Sequence, residues 1–444
     1  MKPTDVKAGT RNDKRETRNV LPDVKAGTRN DKRETRNVLP DAKTGTRNEK
    51  RETRNVLLQS GLRITIVGCG PAGLYFAILM KRLNPAHQIT ILERDGPNDT
   101  FGWGIVFSDQ TFSYLNDSDP ESHAEILKAG EVWDNVDVVH KGRKVTIRGN
   151  RFSGIARLTF LKILQKRCED LGVDMKFNTN VTDLSELPDF DLLVGADGAN
   201  SLVRRTHDQF FQPSLDWRKN KYIWLGTNHL FDGLTLTFRQ NEAGLFIAHS
   251  YKFSKTTSTF IVECTEEVWR RAALEERSGE ETCEYLAEVF KDDLAGHPLL
   301  SNNFVKWLNF LLVKNRHWSH DNVVLLGDAL HTAHFSIGSG TKLALEDSIA
   351  LARCFEDSPD VPAALSEFER VRKPIIEEYQ EAAYSSLTWF ETAQLDMDLD
   401  PVPLAYKLMT RSKRIDYERL KRRDPNFIAA YDEWRGSRDS NVEL

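Results

Sequence analysis

An α/β fold with two sheets of different character is predicted by three features of the chain. Residues 61–93 read as strand, glycine loop, helix and strand, a βαβ unit. Between about 205 and 310 the pattern turns to successive strands with partial two-residue alternation. From about 316 an apolar buried-style strand returns, followed by helices. A βαβ crossover implies parallel pairing. The first and last parts therefore read as one discontinuous α/β domain (61–204 and 316–395), interrupted by a β-rich, mainly antiparallel second domain at 205–315 and followed by a helical segment at 396–444.

Before these elements stands a tail. DVKAGTRNDKRETRNVLP at 5–22 recurs at 23–40, and DAKTGTRNEKRETRNVLL at 41–58 is a third copy. Each unit has too little apolar content to build a core by stacking, so residues 1–60 are expected to be disordered. The body begins with LRITIVG, a β-branched run bounded by glycine, and PAGLYFAILMKRL, whose apolar residues fall at helical spacing. QITILE supplies the second strand. A helix is expected at LTFLKILQKRCEDLG (158–172), with strands at VDMKFN and FDLLVGADG. The inserted sheet draws on NKYIWLGTNHLF, LTLTFRQ, GLFIAHSYKF and TSTFIVECT, after which NVVLLGDA (322–329) resumes the first sheet and 340–395 is helical.

Composition narrows the function classes. Of 444 residues 40% are hydrophobic and 29% charged, a globular balance. Apolar runs such as GLYFAILM fall short of the roughly 20 residues that cross a bilayer. No signal or transit segment opens the chain, so a cytoplasmic location is expected. The five cysteines have neither CxxC spacing nor a nearby histidine pair, which argues for reduced thiols and no metal. Residues 1–60 hold 16 Lys and Arg against 9 Asp and Glu, a balance of +7, so the net charge of −5 leaves −12 on the remainder. An acidic body argues against nucleic acid as a partner.

GCGPAG places Gly68, Gly70 and Gly73 between a strand and a helix, and Glu93 closes the next strand. The first glycine allows a tight turn, the second lets backbone approach a pyrophosphate, and the third lets helix and strand pack closely. Helix amides would meet the phosphates and Glu93 a ribose hydroxyl, with Pro71, Ala72 and Arg94 on the same loops. This motif alone leaves FAD and NAD open.

Two further motifs bear on that choice. GADGANSLVR (195–204) and GDALHTAHFSIGSGTKLALEDS (327–348) resemble the second and third fingerprints of the class A, single-component FAD-dependent aromatic hydroxylases, and the resemblance spans most of 62–395. It implies a Rossmann-like FAD-binding domain. By that resemblance Arg157 lies near the pyrophosphate, and Asp197, beside Gly198, serves FAD and a passing nicotinamide nucleotide. Asp328 holds the ribityl chain, Gly338 and Gly340 offer amides to the flavin, and Trp103 walls the isoalloxazine. FGWGIVFSD (101–109), NKYIWLG (220–226), FIAHSYKFS (246–254), STFIVEC (258–264) and HTAHFSIGSGTK (331–342) are similar to the branch holding salicylyl-CoA 5-hydroxylase, the monooxygenase portion of anthraniloyl-CoA monooxygenase and the violacein-pathway tryptophan hydroxylase. Phe335 and Lys342 depart from the wider pattern, which has proline and asparagine there.

The resemblance implies NADH or NADPH as transient reductant, dioxygen as co-substrate and insertion of one oxygen atom into an electron-rich aromatic ring, of which a CoA thioester is the favoured carrier. Free tryptophan, or flavin reduction without oxygen insertion, stands as the alternative. A base for a phenol or aniline would come from His331, His334 or His249, because histidine titrates near neutrality. Each of these also suits a buried packing role. Tyr222 and Trp224 are candidate substrate-lining residues on the inserted sheet. The stretch TRSKRIDYERLKRRDP (410–425) reads as a helical basic face able to meet CoA phosphates.

Overall fold

A computed structural model describes residues 61–302, 306–358 and 360–442. The repeat tail at 1–60 lies outside the described residues. The six-stranded first sheet runs 319–320, 323–325, 192–195, 63–67, 88–92, 174–176, with every pair parallel except the short hairpin of its first two strands. Ile64 faces Ile89 and Leu192, and Ile66 faces Ile91 and Val194. Such β-branched and leucine runs suit strands covered on both faces. Residues 72–80 of the helix Pro71–Leu83 are all buried, because the long helix Gly340–Asp357 packs against it on the same face of the sheet.

Register brings the functional loops together. Val67 pairs with Leu92 and with Gly195, and Gly195 pairs with Leu325. Four parallel strands thus end level. The loops that follow them, beginning at Gly68, Glu93, Ala196 and Leu326, emerge at one carboxyl edge, which is where open α/β sheets bind ligands.

The larger sheet has the order 299–300, 213–227, 258–264, 244–252, 234–241, 136–140, 143–147, and strand 308–315 pairs along 213–227. It is antiparallel except where 234–241 runs parallel to 136–140. The hairpin 136–147 comes from the segment assigned to the first domain, so the two sheets are interleaved in sequence more deeply than a boundary at 204 implies. It is a short hairpin turned by Lys141 and Gly142, both at positive φ, the mirror-image turn that matches strand twist. A small third sheet of 104–108, 152–156 and 131–133 is antiparallel.

Alternation divides the large sheet by face. Ile223, Leu225, Phe246, Ala248, Phe260 and Val262 pack with Trp269, Leu286 and Phe290 of the helices Glu266–Arg271 and Gly279–Val289. Residues of opposite parity, Tyr222, Trp224, His249, Tyr251 and Ile261, turn the other way and line a cavity. The C-terminal helices Pro401–Thr410, Tyr417–Arg423 and Pro425–Val442 close onto the sheet's far edge through Leu404, Leu408 and Leu420. Among the described residues no helix is long and apolar enough to cross a membrane, and all five cysteines are buried and unpaired.

Candidate active site

The three fingerprint glycines do different work. Gly68 sits at φ +104°, where a Cβ would lie 2.3 Å from the Ala196 carbonyl oxygen. A Cβ on Gly73 would lie 2.3 Å from the Gly68 carbonyl oxygen. These two let chain meet chain. A Cβ on Gly70 would meet nothing within 4 Å, and the same holds at Gly198, Gly338 and Gly340. Gly70, Gly198, Gly338 and Gly340 all line a cavity of about 600 Å³, so a side chain there would intrude on whatever fills it. Pro71 at the first turn of its helix removes one N–H that would otherwise lack a partner.

The nearby carboxylates and arginines divide: Asp328 and Arg157 line the cavity, while Glu93, Asp197 and Arg94 are not in its lining. Glu93 accepts from the Cys69 amide at 2.7 Å and from the Asp95 amide at 2.9 Å, which fixes the loop and leaves lone pairs on both oxygens. Asp197 accepts from the Leu202 and Val203 amides through Oδ2, at 2.6 and 3.3 Å, while its buried Oδ1 has no donor among the described residues. It is therefore a helix cap with one oxygen to spare. Arg157 and Asp328 both line the cavity. Burial raises the Asp328 carboxyl and Arg157 opposes that rise. Burial lowers the Arg157 guanidinium and Asp328 opposes that in turn. The Arg157 Nε is buried without an acceptor. Arg94 is exposed, paired with Asp95 at 3.3 Å, and does not reach the cavity.

Beyond Asp328 the walls become aromatic and apolar: Tyr222, Trp224, Tyr251, Phe152, Ile261 and Leu236. Burial raises the Tyr222 hydroxyl to about 12, with the nearby Asp328 charge adding to the rise. Trp224 lies over Gly102, where a Cβ would be 2.8 Å from the indole, and Trp103 lies over Gly226 at the same distance. This interlock corrects the expectation for Trp103. Its ring packs on Gly226 and Phe253 and is absent from the cavity wall, which Trp224 supplies instead.

The three candidate histidines separate. His249 lines the cavity. His331 does not: its Nε2 is 2.8 Å from Asp347 Oδ2, and Asp347 is held on its other oxygen by the Arg372 Nε at 2.8 Å. Burial would raise the Asp347 carboxyl, but His331 and Arg372 beside it hold it below the ordinary range. His331 is thus part of a buried structural network, and its candidacy as a base is withdrawn. His334 is also behind the wall. Its Nδ1 accepts from the Ser336 amide at 3.3 Å and meets the Ser336 hydroxyl at 2.8 Å, and burial holds it well below the usual imidazole range, with His249, Arg411 and Arg218 adding to the fall. A ring that stays neutral and sits off the cavity does not meet substrate.

Arg411, Arg414, Arg419 and Arg423 also line the cavity. The basic stretch at 410–425 therefore divides. Arg411 is tied inward, to the Ser386 hydroxyl at 2.8 Å and the Ser336 carbonyl at 2.6 Å, and burial lowers it to about 10. Arg414 lies 4.1 Å over the Tyr379 ring. Among the described residues neither Arg414 nor Arg419 has a carboxylate within ion-pair distance, and Arg422 does not line the cavity. Sequence reasoning missed Tyr251, Phe152, Arg414 and Arg419 as members of one wall, since nothing local marks their convergence. It also passed over Glu263, although a carboxylate in the otherwise apolar strand STFIVEC was a visible signal.

Comparison with known proteins follows this geometry. The family described as FAD binding domain matches residues 62–379. A salicyloyl-CoA 5-hydroxylase from a Streptomyces species is 40% identical over 384 residues, covering 84% of this chain and 74% of its own. Protodeoxyviolaceinate monooxygenase of Chromobacterium violaceum is 36% identical over 361 residues, covering 80% of this chain and 95% of its own. In three dimensions a tetrameric 2-methyl-3-hydroxypyridine-5-carboxylic acid oxygenase superposes with a TM-score of 0.64 at 19% identity, over 80% of this chain and 98% of that one, a likeness of fold.

Proposed function

The chain belongs to the FAD-binding-domain family, and from that premise we propose that it is an FAD-dependent monooxygenase that hydroxylates the ring of an aromatic acyl-CoA such as salicyloyl-CoA, with NADH or NADPH as reductant. The observation that carries this reading is one cavity whose lining joins the loop glycines Gly70, Gly338 and Gly340, the aromatic residues Tyr222, Trp224 and Phe152, and Arg414, Arg419 and Arg423. Free salicylate or tryptophan offers one carboxylate, enough for a single guanidinium fork. A thioester whose remote end bears several phosphates could engage more of them, since guanidinium forks match phosphate oxygens too.

The residues fit FAD. Open space above Gly70, Gly198, Gly338 and Gly340 admits a flat cofactor, and the buried Asp197 Oδ1 and Arg157 Nε lack protein partners. Glu93 would hold the adenosine ribose, Arg157 the pyrophosphate and Asp328 the ribityl hydroxyls. When bound and reduced, FAD activates dioxygen and supplies one oxygen atom to the ring. The protein's share is placement and exclusion of water: Trp224, Tyr222 and Phe152 hold the aromatic plane, and His249 stands beside it to take the proton of an activating hydroxyl.

The test is NAD(P)H oxidation by the FAD-loaded protein, with product analysis, on salicyloyl-CoA, anthraniloyl-CoA, salicylate and tryptophan in parallel. A thioester should stimulate oxidation and be hydroxylated. R414A/R419A should raise its KM about tenfold, the worth of about 1.4 kcal/mol of remote binding. Best turnover of tryptophan or free salicylate sinks the CoA assignment, and stimulation without hydroxylated product turns the reading to a reductase.

A further inference from the structure

Glu263 is a carboxylate in a place that resists one. It lies on strand 258–264, in which all seven residues are buried, and its own exposure is 0%. Neither Oε1 nor Oε2 has a hydrogen-bond donor among the described residues. A buried unsatisfied carboxylate costs several kcal/mol unless charge faces it. Register shows which way it points. Glu263 is directly opposite Tyr222 on one side and Ile247 on the other, and Ile261 two residues before it is opposite Trp224 and His249. Glu263 therefore shares the cavity-side face with Tyr222, Trp224, Ile261 and His249, one layer beneath the wall.

Two imidazoles face it. His249 Nε2 is 3.6 Å from Oε1 and His334 Nε2 is 3.9 Å from Oε2. Because His334 Nδ1 accepts from the Ser336 amide, its proton sits on Nε2, turned toward Glu263. The buried Arg411 guanidinium adds its charge from behind the flavin loop. Arg218 is already matched by Glu391 and Asp216, both at 2.7 Å, and Cys264 lies on the sheet's other face. Of the two imidazoles only His249 lines the cavity, with Phe335 and Phe390 ring centroids 5.4 and 4.9 Å away to keep it dry.

We infer that Glu263 is a positioning residue: its carboxylate faces the likewise unpartnered His249 Nε2 across 3.6 Å and favours the proton on that nitrogen by charge, so that Nδ1 is free to accept a proton from the substrate, and it stabilises the imidazolium that results. The carboxylate–imidazole pair works as in any base whose far nitrogen is oriented by an acid. This rests on the aromatic hydroxylation proposed above. On a hydroxyaryl ring the O–H bond breaks, its proton goes to His249 and its electron pair stays on oxygen, enriching the para carbon. That carbon gains one atom of dioxygen and loses its hydrogen as a proton, restoring the ring. The second oxygen atom leaves as water with two electrons from NAD(P)H, and His249 returns its proton to the product phenolate.

Two measurements on the holoenzyme decide this. The first is ¹⁵N NMR of histidine-labelled protein, with His249 assigned by H249Q. In the wild type the His249 proton should sit on Nε2, and E263Q should raise the share of the Nδ1–H tautomer severalfold. The second is single turnover with salicyloyl-CoA. E263Q should lower the yield of hydroxylated product per NAD(P)H about tenfold at neutral pH, with recovery at alkaline pH where the substrate ionises unaided, while KM and flavin reduction hold. E263D, keeping the charge, should fall between, and it carries both arms if E263Q loses FAD. An unchanged His249 tautomer in E263Q, or a yield lowered equally at all pH values, overturns the inference. If the wild type does not hydroxylate salicyloyl-CoA, the function proposal fails while the tautomer still judges the pairing.

Discussion

The phosphate-loop edge of the parallel sheet and the cavity face of the large sheet are both built to meet ligands, but by opposite means. At the first, consecutive residues act through backbone: Gly68 and Gly73 bring chain against chain, and Gly70 leaves room. At the second, Tyr222, His249, Phe152 and Arg414 come from four distant segments and act through side chains. A site made of neighbouring backbone constrains residue type at fixed spacing. A site made of convergent side chains constrains only the fold that gathers them.

The largest effect expected from breaking this contrast lies behind the phosphate-loop edge. Arg372 is buried between Asp347 and Glu346, at 2.8 and 3.0 Å, and Lys342 and His331 take the remaining sides. R372A leaves two buried carboxylates short of a cation and should cost about 3–5 kcal/mol in denaturant unfolding. A loss under about 1 kcal/mol would show that Lys342 and His331 suffice.

Next come the glycines, whose substitution should separate fold from cofactor. G68A forces a side chain into a left-handed backbone worth roughly 1–2 kcal/mol of strain, before its clash with Ala196 is counted. It should destabilise even the apoprotein. G70A has open space for its methyl and a φ of −79°. It should leave apoprotein melting unchanged and weaken FAD binding about tenfold, roughly 1.4 kcal/mol. Equal effects on both readouts for both variants would erase the distinction drawn between turn-forming and ligand-facing glycines.

On the cavity face the corresponding variant is W224L. Trp224 contributes a wall to the cavity, with its indole over Gly102, so flavin content should hold while KM for the aromatic substrate rises about fivefold to tenfold, roughly 1–1.4 kcal/mol. Flavin loss on W224L would mean that the two regions are one.

What the sequence made legible follows the same division. The βαβ unit, the level strand ends and the glycine loop were readable because period and spacing are local. The hairpin 136–147 was not, since VDVVH and RKVTI are short strands whose partner, 234–241, lies about a hundred residues on. Trp103 and Trp224 show the limit sharply. Both precede or follow a glycine in an aromatic motif, and only the interlock over Gly226 and Gly102 decides which indole faces the cavity. His331 and His334 were nominated by their loop, yet the partners that remove them from the cavity, Asp347 and Ser336, act through folded distances. Arg414 and Arg419 were visible as charge but not as a rim.

The smallest expected effect is a pH dependence that compares one buried histidine from each region. His87 follows the helix Pro71–Leu83, and its Nδ1 accepts from the Leu62 amide at 2.9 Å at the start of the central strand. Burial lowers it to about 4, with Lys81 adding to the fall. His334, beside the cavity, is lowered for the same first reason. With a folded value below the ordinary 6.5 or so, the unfolded chain takes up the proton first, so stability falls as pH drops below about 6.5. For His87 the loss continues until about pH 4 and then stops. H87Q should therefore flatten the melting temperature profile between pH 6.5 and 4 relative to wild type, while leaving the pH profile of turnover unmoved. H334Q should also flatten the stability profile, and it should alter turnover as well, because its Nε2 proton faces the carboxylate that His249 shares. Parallel stability curves for H87Q and wild type would show that folding does not hold the His87 imidazole below its ordinary range. A turnover profile untouched by H334Q would assign His334 to structure alone, placing it with His87 on the side of the fold and leaving His249 and Glu263 to handle the proton between them.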